Sequence, residues 1–125
     1  KVSCYGCHSG AAYRNCYNCH GGHAEAKPGM ILGRSPRDKK LLTTLRLIPT
    51  VRDTFAPAGI KMENYDALPN YWDTPAHNIR KRTDRTRNCD VCHVDRKNFL
   101  TREMLIKEGS KANEELLYVP KPINR

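Results

Sequence analysis

Between Pro36 and Pro49 the apolar positions fall at Leu41, Leu42, Leu45 and Ile48, the spacing of one face of a helix. Pro36 suits a first helical turn and Pro49 a stop, so the pattern predicts a short helix over 36–48. A second periodic stretch covers 97–118. There Phe99, Leu100, Met104 and Leu105 make an apolar stripe around a candidate cap at Thr101. Gly109 reads as a stop. Ser110 reads as the cap of a further short helix carrying Glu114, Glu115, Leu116 and Leu117. From Pro49 to Pro75 the breakers Pro57, Gly59 and Pro69 predict irregular chain. Pro120 and Pro122 predict an extended tail. No apolar run approaches the ~20 residues of a membrane span.

Length argues for one domain, but the apolar supply is thin. Hydrophobic residues make up 38% of the 125, with two phenylalanines and one tryptophan. A large apolar group from outside the polypeptide would supply the missing core, and the cysteines say which. All six lie in three copies of one motif: Cys4-Tyr5-Gly6-Cys7-His8, Cys16-Tyr17-Asn18-Cys19-His20 and Cys89-Asp90-Val91-Cys92-His93. This is the haem c attachment signature. Two thiols add to the two vinyl groups of one porphyrin, and the histidine that follows is swung beneath the ring to ligate iron. Zinc sites also use paired cysteines, but two pairs per metal. Three pairs make one and a half such sites, and nothing in a zinc site asks for a histidine after each pair. A disulfide framework does not predict the histidines either.

Three covalent haems c are therefore expected, with Cys4, Cys7, Cys16, Cys19, Cys89 and Cys92 as attachment residues and His8, His20 and His93 as proximal ligands. The expected fold is mainly irregular with a few short α-helices, a small multihaem cytochrome c fold organised around stacked haems. It divides into a haem pair (1–23), a wrapping segment (24–76) and a third haem with C-terminal helices (77–125). The first cysteines of the two leading motifs are twelve positions apart, which forces their haems into close contact. Tyr65, Tyr71 and Trp72 are expected to cover porphyrin faces. The chain is expected not to fold without its haems, since a ligand bound only by the folded state stabilises it.

Distal ligands are harder to assign. His23 is too close to His20 to reach over the same ring, so it is expected on another haem, most simply the first. His77 stands twelve residues before Cys89, where Pro75 holds the approach extended, and is expected to turn back onto the third haem. Five histidines leave one distal position short. The candidates for the haem of Cys16, Cys19 and His20 are Met30, Met62, Met104, the amino group of Lys1, a ligand from a partner chain, or an open site. Met30 is nearest in sequence, after the turn-forming Pro28 and Gly29.

The formal charge of +9 invites a nucleic-acid reading. Three haems would bring about six propionate charges, so part of the basic excess neutralises them and nucleic acid is not an expected partner. The rest is available to steer an acidic redox partner, or forms a solvated face. Arg80, Lys81, Arg82, Arg85 and Arg87 are the densest basic run. Haem c attachment places the protein outside the cytoplasm, periplasmic or extracellular. Cys4 lies three residues from the first residue, so a processed mature chain or a piece of a longer cytochrome is expected.

The three motifs, together with Pro69-Asn70-Tyr71-Trp72-Asp73-Thr74-Pro75-Ala76-His77-Asn78-Ile79, resemble multihaem cytochromes c of anaerobic respiratory bacteria. In those an x-Pro-x-His-Asn-Ile segment commonly precedes a last attachment motif. The resemblance covers the motifs and residues 69–99. It implies thioethers at the six cysteines, proximal ligation by His8, His20 and His93, and distal ligation by His77. The expected function is electron transfer without bond-making chemistry, as a soluble carrier or as part of a larger conduit. Partners would be other multihaem cytochromes or a larger redox complex, with an oligomer or filament possible. The alternative is a reductase of a small nitrogen or sulfur oxyanion at one open haem; a gas-binding sensor at the same open haem is a third class.

Overall fold

The computed structural model describes residues 1–9, 31–75 and 79–123. Among these residues there are three helical turns, α1 (Cys4–His8), α2 (Asp84–Arg87) and α3 (Asp90–His93), and a sheet of β1 (Ile31–Arg34), β2 (Leu42–Leu47) and β3 (Tyr71–Asp73). Short 3₁₀ turns occupy Ala56–Ala58, Tyr65–Ala67, Arg102–Met104 and Lys111–Leu116. Few short helices in a largely irregular chain match the expectation. The sheet does not.

That sheet is antiparallel in the order β1-β2-β3. Ile31 pairs with Leu45 and Arg34 with Leu42 across the first ladder, and Leu45 with Asp73 and Leu47 with Tyr71 across the second. The helix expected over 36–48 is thus a turn followed by the central strand. Leu42, Leu45 and Ile48 carry helical spacing, but Thr43 and Thr44 between them are β-branched and fit a pleated surface better. Both are buried and bonded: Thr44 Oγ1 donates to the Thr74 carbonyl (2.7 Å) and Ser3 Oγ to Thr43 Oγ1 (3.2 Å). Pro36 sits in the hairpin loop. The loop is organised by Ser35, whose Oγ accepts from the backbone N–H groups of Arg37 and Asp38, both at 3.1 Å.

The polypeptide has a core of its own: Leu45, Tyr71, Leu100 and Leu116, with Ile31, Leu47, Leu105 and Leu117 packed on it. Full burial of a leucine such as Leu45 or Leu116 stabilises by about 1.5–3 kcal/mol. Gly33 makes the cluster possible. A β-carbon there would come within 2.6 Å of Leu45 Cδ1 and 3.0 Å of the Leu116 carbonyl oxygen.

Each of the aromatic residues expected over porphyrin faces has a contact within the protein. Tyr71 lies in this core and its hydroxyl donates to the Met104 carbonyl at 2.9 Å. Arg37 lies 5.6 Å from the Trp72 ring centroid and Arg52 5.0 Å from that of Tyr65.

The helices expected over 97–118 are two 3₁₀ turns. Thr101 occupies the first cap position but makes no side-chain cap bond. Ser110 does cap the second, its Oγ accepting from Ala112 N–H at 3.1 Å. A buried amide network ties this segment to the sheet. Asn70 N–H donates to Asn113 Oδ1 (2.7 Å), while Asn113 Nδ2 and the Ser110 N–H donate to Asn70 Oδ1 (3.0 and 2.8 Å). Such anchoring holds 110–116 by specific bonds rather than by a helical stripe. Among the described residues no helix is long and apolar enough to cross a membrane.

Candidate functional site

The first motif is a single helical turn, α1, set against the sheet. Ser3 N–H donates to the Leu42 carbonyl (2.7 Å), and Leu42 N–H to that of Lys1 (2.9 Å). Gly6 is the contact point. A β-carbon there would lie 2.7 Å from Val2 Cγ1. In a helical turn residues three apart share a face, so Cys4 and Cys7 stand together, one exposed and one half-buried. The third motif repeats this on α3, with Cys89 exposed and Cys92 half-buried. None of these four thiols is in a disulfide.

Both motif histidines are anchored the same way. His8 Nδ1 lies 3.0 Å from the Arg80 carbonyl oxygen, and His93 Nδ1 lies 2.7 Å from that of Lys121. A carbonyl only accepts, so each ring donates its Nδ1–H. The neutral imidazole then keeps its lone pair on Nε2. That is the tautomer a metal ligand needs, with the ring orientation fixed by an outer partner. Neither carbonyl was legible in the sequence, because main-chain acceptors carry no residue signature.

The chain after His77 connects the two motifs. Ile79 bridges to Ser9, and Arg80 N–H donates to the His8 carbonyl at 3.0 Å. Thr83 starts α2 with a reciprocal capping box to Thr86, and its Oγ1 donates to the Cys7 carbonyl at 2.5 Å. Arg85 reaches both ways: Nη1 donates to the Gly6 carbonyl (3.4 Å) and Nη2 to Asn98 Oδ1 (3.2 Å). Asn98 Nδ2 in turn donates to the Val91 carbonyl in α3 at 3.4 Å. The basic run therefore splits. Arg80, Lys81, Arg82 and Arg87 are exposed, whereas Arg85 is half-buried and bonded to α1. Burial pushes the Cys92 thiol above its ordinary value; Arg85 pulls it down, and Cys7 and Cys89 push it up again. Cys7 and Cys92, from the first and third motifs, thus lie within electrostatic reach of each other.

Exposed apolar residues stand close, in sequence or by backbone pairing, to both motif histidines or to their carbonyl anchors. Val2 and Ile79 flank the first motif and are 54% and 55% exposed. Val94, Val119 and Ile123, next to His93 or astride Lys121, are 65%, 68% and 44% exposed. An open groove of about 490 Å³, lined by Phe99, Leu100, Tyr118 and Val119 with Arg96 and Arg102, runs beside this tail. Paired thiols on one face, a preset imidazole Nε2 and uncovered apolar neighbours suit a flat apolar group held from its edge and from below. Among the described residues no three histidine, cysteine or acidic side chains converge as a shared ion site would require.

Cys16, Cys19, His20, His23, Met30 and His77 lie outside the described residues. Of the other candidates for the missing distal ligand, Met62 is half-buried and Met104 exposed. The Lys1 amino group donates to the Lys40 carbonyl at 3.2 Å. Thr83, Arg85 and Asn98 were missed as site residues. The Thr-x-x-Thr spacing at 83–86 was the available signal for the start of α2. Comparison of the chain with protein-family models, with curated proteins and with solved structures returned no match.

Proposed function

We propose that the chain is an electron-transfer protein holding three haems c, attached through Cys4 and Cys7, Cys16 and Cys19, and Cys89 and Cys92. Haem held this way supplies a reversible one-electron couple at its iron. The observation that carries the reading is the repeated arrangement at the first and third motifs. Two thiols share a helical face, and the following histidine is locked by a backbone carbonyl with Nε2 left basic. His8 and His93 are the axial bases this arrangement offers. The Arg80 and Lys121 carbonyls orient them and raise their basicity. The second motif carries the same residues, with His20 in the same role. His23, His77 and Met30 are the proposed distal ligands. The uncovered apolar residues Val2, Ile79, Val94 and Val119 offer contact surface to the attached groups. The proposed setting is outside the cytoplasm, periplasmic or extracellular, with other redox proteins as partners.

The test is a spectroelectrochemical titration of the purified coloured protein, followed by carbon monoxide. A carrier shows three reversible one-electron transitions and a reduced spectrum that carbon monoxide leaves unchanged at two or more of the three sites. Catalytic turnover of nitrite or a sulfur oxyanion, with carbon monoxide binding at a high-spin site, would contradict a pure carrier.

A further inference from the structure

The order in which the motifs occur along the chain suggests that the first and second sites are partners. The geometry points to a further pairing: we propose that residues 79–88 brace the first and third attachment segments side by side. The sites of His8 and His93 then exchange electrons directly, with Arg85 as the positioning residue between them. This rests on the haem-carrying reading above and adds to it a route and a residue.

Every link is main-chain or short-range. Ile79 and Arg80 pair with Ser9 and His8, so the segment carrying the His8 anchor is tied by backbone bonds to the end of α1. Thr83 Oγ1 bonds the Cys7 carbonyl across 76 positions of sequence. Arg85 bonds the Gly6 carbonyl across 79 positions, and on its other side Asn98, which bonds the Val91 carbonyl inside α3. Arg85 and Asn98 together therefore span the two attachment helices. The fixed fork of Arg suits such a span, where the point charge of Lys does not. Asn98 is held in turn by the sheet: the Leu32 N–H donates to its carbonyl at 2.7 Å. The pair is thus referenced to the polypeptide core and not to a loose loop. The step itself is outer-sphere. One electron leaves the ferrous iron at one site and reduces the ferric iron at the other; no bond forms or breaks and no proton is required.

A fixed positive charge beside both sites favours their reduced state. Replacing Arg85 by glutamine should lower the reduced-to-oxidised ratio of the third site, at fixed applied potential, by about tenfold. For one electron that corresponds to about 59 mV. The first site should fall in the same direction.

The experiment uses the full haem-loaded chain. Intact mass comes first: a chain without its three haems fails the reading beneath, not the pairing. On the loaded chain, sites are assigned by the signals lost in the Cys4→Ala/Cys7→Ala and Cys89→Ala/Cys92→Ala variants. In ferric electron paramagnetic resonance, loss of the third haem should slow the relaxation of the first-site signal and sharpen it. An unchanged first-site signal in a folded variant overturns the proposal. Should that variant fail to fold, Arg85→Gln decides. The pairing predicts that first and third potentials both fall and that Arg85→Lys, which keeps the charge, restores most of both. A shift at one site only, or at neither, overturns it.

Discussion

Removing the tail after Tyr118 deletes the carbonyl that orients His93. The Lys121 oxygen accepts from His93 Nδ1 at 2.7 Å, and His8 has its own acceptor in Arg80, at 3.0 Å, which the truncation leaves alone. The donated proton makes the imidazole more electron-rich and so favours ferric over ferrous iron. Losing the acceptor therefore raises the midpoint potential of the third site. A hydrogen bond of this kind contributes about 0.5–1.5 kcal/mol net. For one electron that is a rise of about 20–60 mV, near the low end because water has access to this ring and replaces part of the bond. The assay is potentiometric titration of the loaded protein followed at the signal absent from the Cys89→Ala/Cys92→Ala variant. The first-site potential should move by much less, so the difference between the two is the quantity to read. A third-site potential that stays put or falls, or an equal rise at both sites, would refute the role given to the Lys121 carbonyl.

Asn113→Ala removes two bonds to Asn70 and leaves the buried Asn70 N–H without its acceptor. It should destabilise the loaded protein by about 2–4 kcal/mol, read as a lower urea midpoint at constant slope; a loss below about 0.5 kcal/mol would discount the network. The Arg52 guanidinium on Asp66, with the Lys111 N–H, holds that carboxyl down to about 2. Because the folded value lies below the unfolded one of about 3.9, this stabilisation is complete above that pH and is lost as pH falls towards 2. Urea midpoints of the native protein and Asp66→Asn should therefore converge over that window, and parallel curves would count against the assignment. His77→Ala should turn one haem high-spin and leave the other two low-spin in the ferric spectrum; three unchanged haems would remove His77 from the ligand set.

The candidate site was legible in side-chain identity and spacing. Cys4, Cys7 and His8 announce themselves, and α1 and α3 place the first and third motifs on equivalent turns. What the sequence hid was of two kinds. The anchors of His8 and His93 are backbone carbonyls, and any residue could stand at 80 or 121 and offer the same oxygen. The partnership of α1 with α3 depends on side chains bonding to main chain across more than seventy positions, and local periodicity carries no such information. The fold was misread at β2 for a related reason. Leu42, Leu45 and Ile48 fit a helix as well as a strand, and the deciding contributions come from β1, β3 and Ser3, which no window around Thr43 contains. The thin apolar composition led to the expectation that haems supply the missing core; Leu45, Tyr71, Leu100 and Leu116 concentrate few apolar side chains in one cluster of the polypeptide's own. Ser110 was legible because a cap is a local signal, and it caps in the structure.

Intact mass spectrometry of the coloured, purified protein tests the central claim most directly, since thioether bonds survive denaturation. The account predicts a single species heavier than the polypeptide by three haems, with a pyridine haemochrome count of three per chain. A mass equal to the polypeptide with free thiols, with disulfides, or with bound zinc and no porphyrin would contradict it.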